Sequence, residues 1–422
     1  MDTRLFSAVS ASPRSLSSRS LSESSDVGTP ETARSLLFDD GPSFEHTGSN
    51  GPHVLVVGGL GYIGSHVCLE LLKEGYNVVV IDDLSNSYRT VLDRIERLAA
   101  EYCKTVNKPL PALHFHEIDY RSPAMRSVLR QYETPTFTLE QSSRQSKITG
   151  VIHFAAFKSV EESIKKPLAY YKNNVAGLID FLEILSEFNI YNFVFSSSAT
   201  VYGRLASQGT PLHEESMTAV DGVHGLTSPY GRSKYFCEAI LDDVARSDPK
   251  WAITALRYFN PVGCHESGLL GEDPRQKPTN LFPCITSVLT GKRPVLEIFG
   301  TDWNTADGTA VRDFIHVVDL ARGHIAALAA AAEGRVGASF RTYNLGTGTG
   351  HTVLEVLHSI EKASARSIPA REVGRRAGDV GFCVAAVDRA ETELGWRTQK
   401  SLQDCATDVW NYHVVNNEAL QC

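Results

Sequence analysis

The chain has 422 residues, 42% hydrophobic and 21% charged, with a net charge of -8 and a pI near 6.0. That length allows one large domain or two ordinary ones, and the acidic balance argues against a nucleic-acid partner, which usually meets a basic face. No apolar run approaches the roughly 20 residues needed to cross a bilayer, so no membrane partner is expected. The eight cysteines include no C-x-x-C pair, which fits a reducing, cytoplasmic setting rather than a zinc site or a disulfide framework.

Residues 1–50 are Ser-rich and poor in apolar side chains, so they cannot bury enough surface to offset chain entropy. They are expected to form a disordered tail. A transit peptide is the alternative, but Asp26, Glu31, Asp39 and Asp40 are wrong for one.

Structure begins at "HVLVVGGLGYIGSHVCLELLKEGYNVVVIDD", His53 to Asp83. Val54 to Val57 suit a strand buried on both faces. Apolar residues then recur at helical spacing from Ile63 to Leu72, and Val78 to Ile81 form a second strand. Gly58 permits the tight turn between strand and helix. Gly61 lets backbone approach a pyrophosphate, and Gly64 lets the helix pack close to the strand. The helix N-terminus presents free N–H groups and the positive end of its dipole to phosphates. Asp82 closes the second strand, where a carboxylate can accept from both adenosine ribose hydroxyls and repel a 2'-phosphate, so NAD is expected over NADP. Further strand-like runs, Leu113 to Phe115, Val151 to Phe154, Phe193 to Ser196 and Ile253 to Leu256, are mostly separated by helical segments. The alternation predicts an α/β fold with a doubly wound, parallel, Rossmann-type sheet. Ile325 to Ala332 is Ala-rich and reads as a packed helix.

Two later stretches carry the chemistry. "FSSSATVYG" places Ser196, Ser197 and Ser198 at a strand end, and "SPYGRSKYFCEAIL" places Tyr230 and Lys234 four residues apart on one helix face. A free phenol titrates near 10. A neighbouring ammonium, or the positive nicotinamide ring of NAD, favours the phenolate and makes Tyr230 a usable base. Ser198 can reach a substrate oxygen beside it, while Ser196 and Ser197 are compatible with merely capping the strand. Tyr-x-x-x-Lys alone is weak evidence. Its structural alternative is a packed Tyr and a solvated Lys, and the order and spacing of the other stretches argue against that.

Together these stretches resemble the extended short-chain dehydrogenase/reductase family. "IDDLSNS", "VIHFAAFKSV", "YYKNNV", "LRYFNPVG", "DGTAVRDFIHVVDLA", "YNLGTG" and "GRRAGDV" narrow the likeness to its UDP-glucose 4-epimerase branch, from Val54 to Trp410. The resemblance implies NAD held by Tyr62, Ile63, Asp82, Asp83, Asn86, Ser87, Asp119, Phe154, Ala155, Ala156, Lys158, Asn173, Ser196 and Phe259, beside the glycines, Tyr230 and Lys234. It implies a UDP-sugar held by Ser198, Asn260, Asn280, Leu281, Phe299, Arg312, Arg376, Asp379 and Cys383. Arg312 and Arg376 would grip the pyrophosphate through several donors at once; ordinary surface salt bridges are the alternative. No metal is implied.

The implied division is a nucleotide domain over 51–260, with 309–330 returning to it, and a smaller mixed α/β domain over 261–422 that binds the UDP-sugar. A homodimer through helices near Leu168 to Leu185 and Pro229 to Ala245 is also implied. So is an activity: oxidation of the hexose at carbon 4, rotation of the 4-ketose, and re-reduction from the other face, which interconverts UDP-glucose and UDP-galactose. Related dehydratases and decarboxylases carry an acid directly after the serine or threonine. Here Ala199 and Thr200 follow Ser198, which argues for a ketone that is simply reduced again. The alternatives are another NAD-dependent nucleotide-sugar enzyme (a dehydratase, decarboxylase or uronate 4-epimerase) and a non-catalytic dinucleotide-binding regulator.

Cys383 stands where a Tyr would narrow the sugar pocket, so N-acetylated hexoses are expected to fit, unless it is simply a core cysteine. Three departures from the branch's pattern stand out. Val57 replaces a Thr, Trp303-Asn304 replaces a Tyr-Pro pair, and an insertion from Tyr132 to Lys147 is expected to form a polar surface loop.

Overall fold

The computed structural model describes residues 51–137, 142–218, 222–273, 275, 279–336, 339–376 and 379–417. The expected tail, residues 1–50, lies outside them. The described residues fall in one compact unit.

At its centre is a sheet of seven strands. Across the sheet they run Phe340–Leu345, Ala252–Tyr258, Asn192–Ser198, Ile148–His153, His53–Val57, Asn77–Asp82 and Leu113–Glu117, and every neighbouring pair is parallel. The Val/Ile-rich strands at the centre are buried on both faces, which is why they read as continuous apolar runs rather than alternating ones. The chain order reverses beside His53–Val57, the topological switch point of a doubly wound sheet. Helices cover both faces. Tyr62–Lys73 and Val317–Ala332 pack into one apolar core with Val54, Val56 and Val80. Gly177–Glu187 and Pro229–Ser247 pack into another with Leu55, Val57 and Phe193.

The expected strands are all present, with longer ends. The run to Phe154 stops one residue earlier, at His153, although the Phe154 N–H still donates across to the Val57 carbonyl at 2.8 Å. The Ala-rich run lies in the buried helix Val317–Ala332. Two features differ from expectation. The sheet takes in a seventh strand, Phe340–Leu345, beyond the 309–330 return. The Tyr132–Lys147 insertion is a hairpin, with Glu133–Phe137 antiparallel to Ser142–Ser146, rather than a loop. Backbone pairing there overrides a polar composition that carries no alternating signal.

A third apolar core gathers Phe282, Ile285, Phe314, Val356, Ile360 and Val409. It lies under the helix Leu281–Leu289 and the strand Leu296–Phe299, which pairs in parallel with Ala370–Val373. No helix is long and apolar enough to cross a membrane, and no group of three or more His, Cys, Asp or Glu is placed to hold a metal ion, among the described residues.

Candidate active site

At the switch point backbone packs closely on backbone. Gly58 has φ +78°, and a Cβ there would stand 3.0 Å from the Ala155 nitrogen, so both conformation and space demand glycine. A Cβ on Gly64 would meet the Gly58 carbonyl oxygen at 2.3 Å; the helix could not seat against the turn with a larger residue. Gly61 caps the helix Tyr62–Lys73 without a side-chain hydrogen bond, and no acid stands in the first turn. An uncapped helix N-terminus over a cradle that side chains would fill fits a dinucleotide pyrophosphate.

Asp82, buried at the end of its strand, already accepts from the Leu60 N–H at 3.0 Å, the Leu84 N–H at 3.0 Å and the Ser87 hydroxyl at 2.7 Å. Burial raises its pKa while those bonds oppose the rise. Three of about four acceptor positions are thereby used, which leaves fewer for a ribose than the expected pair of hydroxyl contacts. Asp83 accepts from the Ser85 N–H at 3.0 Å, within the turn that carries Asn86. Arg275 closes the turn from the far half of the chain, donating to the Ser87 carbonyl at 2.8 Å and lying 4.2 Å over the Tyr88 ring.

Asp119 and Asn173 are joined by Arg121. It pairs with Asp119 at 2.6 Å, holding that carboxyl below its ordinary pKa, and donates to Asn173 Oδ1 at 2.8 Å. Asn173 sits in a short π-helical turn, Tyr171–Ala176. The next residue, Asn174, clamps the Phe157 backbone from both sides at 2.9 and 3.0 Å and reaches Ser233 Oγ at 3.0 Å. The Phe154-to-Lys158 loop is therefore tied to the helix that carries Tyr230. Lys158 is turned outward and pairs with Glu272 at 3.4 Å.

Ser198, Tyr230 and Lys234 converge at the carboxyl end of the sheet. Ser198 Oγ accepts from the Thr200 N–H at 3.2 Å and the Thr200 hydroxyl at 3.0 Å, and it hydrogen-bonds Tyr230. A hydroxyl has two acceptor positions and one proton, so the proton of Ser198 is left for the phenol oxygen. Ser228 caps the helix by accepting from the Gly231 N–H at 3.1 Å, with Pro229 opening the first turn.

Burial pushes the Tyr230 phenol up to about 12, against the Ser198 bond. Lys234 is 2% exposed, and burial pulls it down to about 8. Its ammonium donates to the Ser196 carbonyl at 2.5 Å and lies 4.7 Å over the Phe195 ring. In the protein alone the Lys234 cation is engaged by Ser196, and desolvation is the largest influence on Tyr230.

Ser196 and Ser197 do more than cap a strand. Ser197 donates to Glu238, which forms a buried bidentate pair with Arg257 at 2.7 and 3.0 Å. Arg257 also reaches the Tyr202 hydroxyl at 3.1 Å. No short motif announces this network, because its members lie on two strands, one helix and one 3-10 turn.

On the far side of the cleft, Arg376 pairs with Asp379 at 3.0 Å and lies 4.4 Å over the Phe299 ring. Arg312 donates to the Val380 carbonyl at 2.7 Å; burial lowers its pKa, and Cys383, Asp379 and Arg376 all lie within its electrostatic reach. Cys383 stands opposite Arg312 in parallel register and packs with Ala199, Tyr202 and Phe259. Asn260 pairs with Phe314. Asn280 caps the helix Leu281–Leu289 without a side-chain bond, leaving its amide uncommitted to that cap. The Trp303 loop is distinctive: the indole lies 3.7 Å from the Arg375 guanidinium, and glycine is required at both Gly300 and Gly381 to admit it.

Residues 54–346 match the model of the NAD dependent epimerase/dehydratase family. The chain is 46% identical to UDP-glucose 4-epimerase 2 of Arabidopsis thaliana, over 85% of this chain and 94% of that protein. It is 44% identical to the UDP-glucose 4-epimerase of Mus musculus, over 86% and 97%. Among solved structures it resembles the UDP-glucose 4-epimerase of Bifidobacterium longum in complex with NAD+ and UDP, with a TM-score of 0.74 and 40% identity over 86% of this chain and 98% of that one. A uncapped phosphate turn, a Ser–Tyr–Lys cluster at the strand ends and this degree of likeness agree: the chain belongs to the NAD dependent epimerase/dehydratase family.

Proposed function

We propose that the chain interconverts UDP-glucose and UDP-galactose. The observation that carries the reading is Ser198 bonded to a buried Tyr230, with no carboxylate at the two positions that follow. NAD, when bound, would supply the oxidation and reduction at carbon 4, for which Tyr230 would act as phenolate. Tyr230 takes the proton of the carbon-4 hydroxyl and later returns it. Ser198 donates to the phenol oxygen and steadies the negative charge that forms there. Lys234 contributes the nearby positive charge.

Gly58, Gly61, Gly64 and the helix start at Tyr62 would cradle the pyrophosphate of NAD, with Asp82 at the ribose. Phe154 to Ala156 and Phe259 would border its nicotinamide half. Arg312 and Arg376 would hold the UDP pyrophosphate, with Phe299, Asn280, Leu281 and Asp379 at the uridine. The third apolar core supports that half of the cleft, so we place the UDP-sugar domain there. Ala199 and Thr200 cannot exchange a proton with carbon 5, which disfavours dehydration and decarboxylation.

The test is to denature the purified chain, look for released NAD, and analyse the product formed from UDP-galactose. Release of NAD with formation of UDP-glucose is expected. A dehydrated or decarboxylated product, or none, would sink the reading.

Cys383 supports a broader substrate range. Its side chain is small where it borders the apolar cluster of Tyr202 and Phe259, so UDP-N-acetylglucosamine and UDP-N-acetylgalactosamine are expected to be interconverted. Cys383→Tyr should lose that turnover while keeping UDP-galactose conversion; equal loss of both would refute the role. A homodimer is also part of the reading. Ile164 and Leu168 expose 57% and 81% of their surface, and sedimentation should give twice the chain mass if they are covered by a second copy.

A further inference from the structure

Behind Lys234 runs a line of hydrogen bonds that the reaction described above does not use. Lys234 Nζ lies 3.3 Å from Ser196 Oγ, in addition to its bond to the Ser196 carbonyl. The Ser196 hydroxyl stands near enough to the Tyr258 phenol to oppose the rise of its pKa. Tyr258 Oη lies 2.5 Å from His324 Nε2, and His324 Nδ1 lies 2.8 Å from the Leu320 carbonyl oxygen. All four side chains are buried, His324 completely. They come from two sheet strands and two helices on opposite faces of the sheet.

One backbone group sets the direction of the whole line. A carbonyl only accepts, so His324 Nδ1 carries the proton. A neutral imidazole has one N–H, and burial, pulling His324 down to about 4, keeps it neutral near pH 7. Nε2 is then an acceptor and Tyr258 must donate to it. The Tyr258 oxygen accepts from Ser196, and Ser196 Oγ, its proton spent on Tyr258, presents a lone pair to Lys234. Bonds aligned in this way polarise one another. Burial favours the neutral amine at Lys234; the line opposes that.

We infer that Tyr258 and His324 are positioning residues which, acting through Ser196, keep the buried Lys234 charged and aimed. What Lys234 does for turnover rests on the functional reading above; the polarity of the line does not. If His324 cannot accept, the Tyr258 proton turns toward Ser196 Oγ, and the Ser196 proton turns toward the ammonium and opposes it. The titratable groups within electrostatic reach of Lys234 are Cys237 and Glu238 on its own helix and His153 on the adjoining strand; Tyr230 stands one turn earlier on that helix, and Tyr258 lies one residue further along this line. Glu238 is committed to Arg257. Phe154 covers the His324 ring at 4.9 Å.

The polarity is read directly by 15N NMR of the histidine-labelled chain. His324 should show the Nδ1–H tautomer with a hydrogen-bonded Nε2, and Tyr258→Phe should remove that bond. An Nε2–H tautomer would reverse the line and overturn the proposal, whatever the substrate. Kinetics on UDP-galactose test the consequence. His324→Leu should lower kcat about tenfold and move the alkaline limb of the pH profile to lower pH, because Lys234 then loses its proton sooner. Bound NAD, measured after denaturation, should be unchanged. His324→Gln, whose amide oxygen reaches toward the Nε2 position, should restore most of the rate. Tyr258→Phe keeps the ring shape and should shift the profile in the same sense, which decides the matter if the Leu variant does not fold. An unshifted profile with full kcat in these variants refutes the role. Failure of the unaltered chain to convert UDP-galactose would instead strike the functional reading, with the NMR result still deciding this one.

Discussion

The two ends of the cleft are built on different principles. At the sheet end, Tyr230 and Lys234 are buried, and the hydrogen bonds of Ser198, Tyr230 and Lys234 are formed by the protein alone. At the loop end, the Arg376 side chain is 53% exposed and paired with an acid three residues away. Burial gives the sheet end fixed geometry without reorganisation, which is what stabilising a developing charge requires. The loop end holds its guanidinium in a solvated pair that costs little to break and can be exchanged for phosphate. On the proposed function, the chemistry is prebuilt and the grip on the nucleotide is provisional.

The sharpest way to break this contrast is at the phenol. Tyr230→Phe removes the proton acceptor and keeps the ring, so kcat should fall about a thousandfold while released NAD per chain stays the same. Near-normal turnover would mean that the buried end is structural rather than chemical. Arg376→Ala tests the other end. Its KM for UDP-galactose should rise about tenfold with kcat nearly unchanged. A loss of kcat instead would show that the loops, too, are part of the chemistry.

A different kind of effect concerns acid. Burial holds His66 and His153 down to about 3, and His265, His324 and His413 down to about 4. An unfolded histidine titrates near 6.5, so below that pH the unfolded chain takes up protons that the folded chain refuses. Stability from these groups is complete above about pH 6.5 and is lost as pH falls toward the folded values, at about 1.4 kcal/mol per histidine per unit. The Tm should be flat just above pH 7 and fall progressively below about 6.5. His153 lies under the sheet end among Tyr120, Phe181, Phe193 and Phe195, so His153→Phe should flatten that fall. An equally steep fall in the variant would place the acid sensitivity elsewhere.

Much of the site can be read from local spacing. Gly58 and Gly64 can be foreseen because a turn with positive φ and a close helix–strand contact each leave a single-residue mark. Tyr230 and Lys234 can be foreseen because four residues make one helical turn. The direction of the Lys234 ammonium cannot, since it depends on a carbonyl 38 residues upstream that packing of the helix on the sheet brings alongside. Arg121, Arg275, Asn174 and the Ser197–Glu238–Arg257 network are hidden for the same reason: each acts on a partner distant in sequence. The seventh strand is easily passed over because the first half of Phe340–Leu345 is only partly buried.

By itself, then, the order of residues determined the phosphate turn, the sheet that follows from it, and the types of side chain available at the strand ends. These arise from backbone conformation and apolar periodicity, which act over a few residues. Only the tertiary structure decided that Tyr230 is buried and protonated in the protein alone, that Lys234 faces Ser196, and that a histidine on the opposite face of the sheet stands behind it. Desolvation and hydrogen-bond direction depend on everything packed around a group, and that packing exists only once strands far apart in the chain lie side by side.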